Sequence, residues 1–325
     1  MEKETFLVDN HLSRTIDIID VNAALDASIK ELLADKQILA WILKYSTNDF
    51  ADCEIEDIIG WMDEPEVSKV RVEPGATNNE KANLLQNEDS VIGEGKILYD
   101  IRCTVWHNGV GVKYLINLEA QKSTSKGKLG YELDNRILFY MSRMISAQKD
   151  TEFTGSDYDD IKHIRSIWIC MDAKDGEESI TGIELAATPV YGSKYKMDNL
   201  DKFKGAVVRV RSRNNAEKPD NKLLAMLEEL IRKEDANIKK QKLQDEFGLK
   251  MTRETEGRIN TMCNWSEAIA EREREEGIEI GVKEGMKQTL DIIYMLKENA
   301  SDDDIMSKIG CGIEVIEQVR NVTFA

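Results

Sequence analysis

The most regular alternation of apolar and polar residues lies between Ile97 and Gln121. From Ile97 to Val105 apolar residues recur at every second place through Ile101 and Val105, the period of a strand with one buried face. Trp106 to Gly111 contains Asn108-Gly109, two residues that tolerate φ > 0 and mark a hairpin turn. Tyr114 to Gln121 is the returning strand. Its faces sort by parity, with Tyr114, Ile116, Leu118 and Ala120 on one side and Leu115, Asn117, Glu119 and Gln121 on the other. On the outgoing strand Asp100 and Arg102 point together, away from Tyr99 and Ile101.

The pattern changes on both sides of this hairpin. Residues 1–34 hold an apolar-rich but irregular stretch at 15–21, read as an arm or short helix. From Asp35, Ile38, Leu39, Trp41, Ile42 and Tyr45 recur at three- and four-residue steps and predict a helix that ends at 47–50. Ile55, Ile58 and Ile59 predict a second, shorter one. Residues 62–93 are polar, with Pro65, Pro74 and Gly75, and read as loop. Leu133, Ile137, Met141, Met144 and Ile145 form the apolar stripe of a helix beginning near Tyr131. Arg136, Tyr140 and Arg143 form a second line on it, facing either a cleft or ordinary solvent. The unbroken apolar run Ser166–Met171 predicts a strand buried on both faces. Ile183–Leu185 and Ala206–Val210 read as further strands. Strands interleaved with helices predict an α/β fold.

Past Pro219 almost every signal is helical. Asp220 is placed to cap a helix carrying Leu223, Leu224, Leu227 and Leu230. The charged, glycine-punctuated stretch from Ala270 to Gly285 is either a solvated extension or a surface for a homodimer. Ser301–Asp304, Gly310 and Ile313–Val319 predict two short helices about a glycine, a packing hairpin or a helix-turn-helix; few basic residues favour the former. The expected organisation is an N-terminal arm (1–34), a core (35–218) and a helical C-terminal region (219–325).

Composition narrows the function classes. Of the 325 residues, 41% are hydrophobic, enough for a sizeable core, yet no run approaches the roughly 20 apolar residues of a membrane span. The charged start Met1–Phe6 lacks the apolar stretch of a signal peptide. Five cysteines without a CxxC pair argue against zinc ribbons and disulfide frameworks and make a cytoplasmic location the expectation. Three histidines form no metal-binding cluster. The net charge of −17 repels nucleic acid at long range and disfavours non-specific binding, but leaves room for a DNA enzyme with local basic groups or a bound metal.

The chemistry concentrates on the hairpin. If the polar faces of its strands coincide, Asp100 and Glu119 converge. Two carboxylates on otherwise apolar strands are costly without a partner. A divalent cation would serve, since Mg²⁺ is often held by one or two carboxylates plus water and phosphate oxygens. A pairing of Asp100 with Arg102, or another cross-strand ion pair on a solvated face, would serve equally well.

An ordered series of segments resembles the PD-(D/E)XK nuclease family transposases, relatives of the recombination-promoting nucleases. The segments are Tyr99-Asp100-Ile101-Arg102, Asn117-Leu118-Glu119-Ala120-Gln121-Lys122, Arg143–Gln148 and Ser166–Met171. The resemblance runs from about Asp35 to about Ile231. It implies a restriction-endonuclease-like mixed sheet flanked by helices, and hydrolysis of DNA phosphodiesters with Mg²⁺, or Mn²⁺ in its place. Asp100 and Glu119 would be the motif acids and the Ala120 carbonyl a further metal ligand. Gln121 stands where the wider superfamily has lysine; it can orient the attacking water but cannot supply positive charge. Lys122 falls on the opposite face from Glu119 by strand parity. The resemblance also brings in Glu94, as a third ligand or water-positioning group or simply a solvated turn residue. Arg136 and Tyr140 become candidates for holding the scissile phosphate, and Asp52, Glu54 and Glu56 candidates for an additional acid. The competing expectations are an inactive interaction protein that keeps the nuclease fold, favoured by Gln121 and the acidic balance, and a DNA-binding regulator acting through the C-terminal hairpin.

Overall fold

In this computed structural model the described residues are 11–67, 88–91, 95–108, 111–193, 195–211 and 217–323. They belong to two compact units, Met1–Ser266 and Glu267–Ala325. The first unit holds α1 (His11–Leu33), α2 (Lys36–Ser46), α3 (Ile55–Trp61), β1 (Glu66–Val67), β2 (Glu88–Val91), β3 (Gly95–Leu98), β4 (Ile101–His107) and β5 (Val112–Gln121). It continues with α4 (Lys126–Leu129), α5 (Leu133–Ser146), β6 (His163–Ala173), β7 (Ser179–Glu184), β8 (Phe203–Arg211), α6 (Lys222–Ile231), α7 (Ala236–Phe247) and the start of α8 (Arg253–Lys297). The fold is mixed α/β. Its six-stranded sheet has the order β1-β4-β5-β6-β8-β7. The β5–β6 and β6–β8 pairs are parallel, and the flanking β4–β5 and β7–β8 pairs are antiparallel.

Central β6 is buried along nearly its whole length, because a strand with parallel neighbours on both edges is covered on both faces. One face, through Ile101, Cys103, Val105, Ile116, Leu118, Ile167 and Val208, packs against Leu32 and Leu33 of α1 and against α2, α3 and α6. The other, through Ile164, Trp168 and Cys170, packs against Leu133, Ile137, Met141 and Met144 of α5. That helix belongs to the crossover joining parallel β5 to β6. It approaches the sheet closely at Gly205: a Cβ there would lie 2.7 Å from the Ser166 carbonyl oxygen and 3.2 Å from Met141.

Several expectations change. The strand expected from Ile97 to Val105 is two strands: β3 pairs with β2, and β4 pairs with β5 and β1. Tyr99 and Asp100 fall in the break between them. The break removes strict alternation, so Tyr99 lies in the α5-side core beneath the Arg102 guanidinium, 4.9 Å from its ring centre, while Ile101 faces the opposite core. The stretch read as loop over 62–93 carries β1 and β2. Asn221, not Asp220, caps α6, its side chain accepting from the Leu223 and Leu224 N–H groups. The expected arm carries α1, and α6, α7 and the first turns of α8 share the core of the sheet. Asp35 caps α2 through the Gln37 N–H and accepts a 2.7 Å bond from Thr255 of α8.

The second unit contains the rest of α8, α9 (Asp302–Ile309) and α10 (Ile313–Thr323). Ile292, Ile305 and Ile316 form its small core, and Gly310 (φ +73°) makes the turn between α9 and α10. Arg320 pairs with Asp302 across that hairpin. Along α8, Ile278, Val282, Met286, Leu290 and Tyr294 are exposed at four-residue steps. Among the described residues no helix is long and apolar enough to cross a membrane.

Candidate active site

The β4–β5 register pairs Ile101 with Leu118. One step further along the antiparallel ladder sets Asp100 opposite Glu119, where β5 continues past the start of β4 through Glu119, Ala120 and Gln121. These residues stay paired with β6 on one edge, but on the other β4 has not yet begun, and there the backbone N–H groups turn to the two carboxylates. Glu119 Oε1 accepts from the Asp100 N–H at 3.2 Å, and Asp100 Oδ2 accepts from the Ala120 N–H at 3.0 Å. In an extended strand a residue's N–H and C=O project to the same side, so the Ala120 carbonyl also faces Asp100.

The acids receive cations from opposite layers. Lys30 of α1 lies 2.8 Å from Asp100 Oδ1 and 2.9 Å from Asp26 Oδ2. Arg136 of α5 lies 3.7 Å from Glu119 Oε2, too far for a hydrogen bond. Its guanidinium donates to the Tyr131 hydroxyl at 2.8 Å, the Tyr140 hydroxyl at 3.0 Å and Gln121 Oε1 at 3.4 Å. It also lies over the rings of Tyr140 and Trp168, at 4.9 and 5.4 Å from their centres. Three hydrogen bonds and two ring faces thus hold the Arg136 guanidinium at this distance from Glu119.

The electrostatics follow. Glu119 has only 2% of its side chain exposed. Burial pushes its carboxyl well above the usual range, and Asp100 adds to this; Arg136 opposes it without cancelling it. Burial works against the Lys30 ammonium, but Asp100 and Asp26 outweigh it and hold the group above the ordinary lysine value. Burial and then Glu119 raise the Tyr140 hydroxyl.

These positions bring Asp100, Glu119, Ala120, Gln121, Arg136 and Tyr140 together. Arg143, the third member of the line on α5, is buried at 5% exposure. Glu94 lies outside the described residues. Asp52, Glu54 and Glu56 are exposed, and Glu56 pairs with Lys250 at 3.3 Å. Lys122 follows the end of β5 and turns to α1, donating to the Asn22 carbonyl at 3.3 Å and lying 3.7 Å from Asp26. The groups that sequence reasoning missed are Lys30 and Asp26. Their four-residue spacing marks a helical ion pair, but nothing local connects that pair to Asp100.

The donor set suits a hard divalent cation. Two carboxylates and a backbone carbonyl lie at one strand end, linked through the Asp100 and Ala120 N–H groups, and one carboxylate is buried with incomplete compensation. Among the described residues no group of three or more His, Cys, Asp or Glu side chains is arranged around a common metal position. A scan of protein-family models, a search of curated proteins and a search of solved structures each find no match to this chain.

Proposed function

We propose that the chain is a metal-dependent DNA endonuclease of the PD-(D/E)XK type, with a restriction-endonuclease-like core. The observation that carries this reading is the buried, under-compensated Glu119 directly across from Asp100 at a strand end. Buried acids whose pKa is raised by burial and a second carboxylate cluster at functional sites. The flanking parallel strands, the crossover helix and the order of the motif segments agree with it.

Asp100, Glu119 and the Ala120 carbonyl would hold Mg²⁺ or Mn²⁺, which when bound lowers the pKa of a water and offsets phosphate charge. Gln121 shares the face of Glu119, is tethered to Arg136, and would hydrogen-bond the attacking water. That water would give up a proton to solvent and add to phosphorus, one P–O ester bond would break, and the released oxygen would take up a proton from solvent. Arg136, fixed by Tyr131, Tyr140 and Trp168, would bind a non-bridging phosphate oxygen without having to reorganise. Tyr140 would hold that arginine and contact the same phosphate. DNA is thus the proposed partner.

One observation favours a second reading. The 2.8 Å contact of Lys30 with Asp100 satisfies one acid without any metal, as expected if the nuclease fold serves only as an interaction scaffold. Supercoiled plasmid incubated with and without Mg²⁺ separates the two. The nuclease reading predicts metal-dependent nicking that Asp100→Ala and Glu119→Ala abolish while circular dichroism stays native. Metal-independent nicking, or nicking unchanged in both variants, would reject it.

A further inference from the structure

The Lys30 ammonium bridges two carboxylates of different character. Asp100 belongs to the acid pair. Asp26 lies one helical turn before Lys30 on α1 and is more exposed, at 32% of its side chain against 17% for Asp100. The two contacts are nearly equal in length, 2.9 and 2.8 Å, so losing one leaves the ammonium held by the other. Asp26 also lies 3.7 Å from Lys122, so two lysines gather beside the acid pair of a chain whose net charge is −17. Position 121, on the face of Glu119, carries an uncharged amide already engaged by Arg136.

We propose that Lys30 is a relocating cation of this site. It neutralises Asp100 while the acid pair holds no metal; released from Asp100, it stays on Asp26 and pairs with the phosphate of a bound nucleic-acid strand, supplying positive charge that Gln121 cannot. Asp26 is the positioning residue that retains it, and Lys122 adds to the same field. This rests on the phosphodiester-hydrolase reading above. It accounts for an acid pair held without metal and for the contact that α1, which precedes the stretch of resemblance, makes with Asp100.

The two roles of Lys30 predict effects of opposite sign. In Lys30→Met the competitor at Asp100 is gone, so the Mn²⁺ concentration giving half of the full thermal stabilisation should fall by about fivefold. At saturating Mn²⁺ the same variant should nick supercoiled plasmid about tenfold more slowly, because a cation facing the phosphate is missing. Lys30→Arg, which keeps the charge, should restore nicking to within about threefold of wild type. Asp26→Asn, at a part-exposed position where folding is not at risk, should leave Lys30 on Asp100 and raise the Mn²⁺ midpoint. A merely structural lysine would lower the melting temperature equally with and without Mn²⁺ and leave both midpoint and saturated rate unchanged; that result overturns the inference while wild-type nicking still upholds the nuclease. A Lys30→Met midpoint at or above wild type also overturns it. A wild type that neither binds Mn²⁺ nor nicks DNA overturns both.

Discussion

Glu119→Gln isolates the central physical feature of the site. In the metal-free protein the Glu119 carboxylate is buried, faces Asp100 across the strand pair, and has its nearest cation at 3.7 Å. Glutamine keeps the shape, and its amide oxygen still accepts from the Asp100 N–H. Arg136 is not stranded by the change, because the Tyr131 and Tyr140 hydroxyls, Gln121 and the rings of Tyr140 and Trp168 still surround it. A buried polar group with incomplete compensation costs roughly 1–3 kcal/mol, and removing the charge while leaving its neighbours satisfied recovers about that much. For a unit of this size that corresponds to a rise in melting temperature of about 2–10 °C.

The effect depends on pH, and its sign is fixed by the direction of the shift. The carboxyl of folded Glu119 titrates above its unfolded value of about 4.3. The stability it contributes is present in full below that value and is lost as pH rises through the folded pKa. The advantage of Glu119→Gln should therefore be small at pH 4 and large at pH 8. Thermal melts of both proteins in EDTA at the two pH values measure it, and a nicking assay with Mg²⁺ should show the stabilised variant to be inactive. A variant less stable than wild type at pH 8 in EDTA would refute the reasoning, since Glu119 would then be held by Arg136 as an ordinary structural ion pair.

Two further substitutions test the scaffold and the phosphate contact. Asp49→Ala leaves the fully buried Arg165 without its two-pronged partner (2.6 and 2.7 Å) and should cost about 3–5 kcal/mol in urea denaturation at neutral pH. Burial opposes the Asp49 charge but Arg165 more than compensates and holds its carboxyl below the usual value, so wild type should lose that stability only as pH falls below about 4. Arg136→Ala should slow metal-dependent nicking by about a hundredfold. Arg136→Lys should restore little of it, because an ammonium cannot lie over Tyr140 and Trp168 and at the same time hydrogen-bond Tyr131, Tyr140 and Gln121.

Local periodicity made much of this fold legible. Of the stripe Leu133, Ile137, Met141, Met144 and Ile145, all but the half-buried Ile145 form the buried face of α5, and the unbroken run Ser166–Met171 foretold a central strand covered on both sides. Parity on β5 correctly grouped Asn117, Glu119 and Gln121, and Lys122 away from them, because nothing interrupts that strand. The same rule misplaced Tyr99, since no residue between Ile97 and Val105 announces the break from which Asp100 projects. Arg136 was legible because it shares a helix with the core stripe. Lys30 was not: its partner lies 70 positions away, and only the packing of α1 on the sheet brings the two together. An irregular apolar pattern over 15–21 gave no sign of that packing.

Direct measurement of Mn²⁺ binding, by electron paramagnetic resonance on the full chain, tests most closely whether the two acids share an ion. Wild type should bind one Mn²⁺ per chain, and Asp100→Asn and Glu119→Gln should each lose it while remaining folded. Undiminished binding in both variants, or none in wild type, would contradict the site described here.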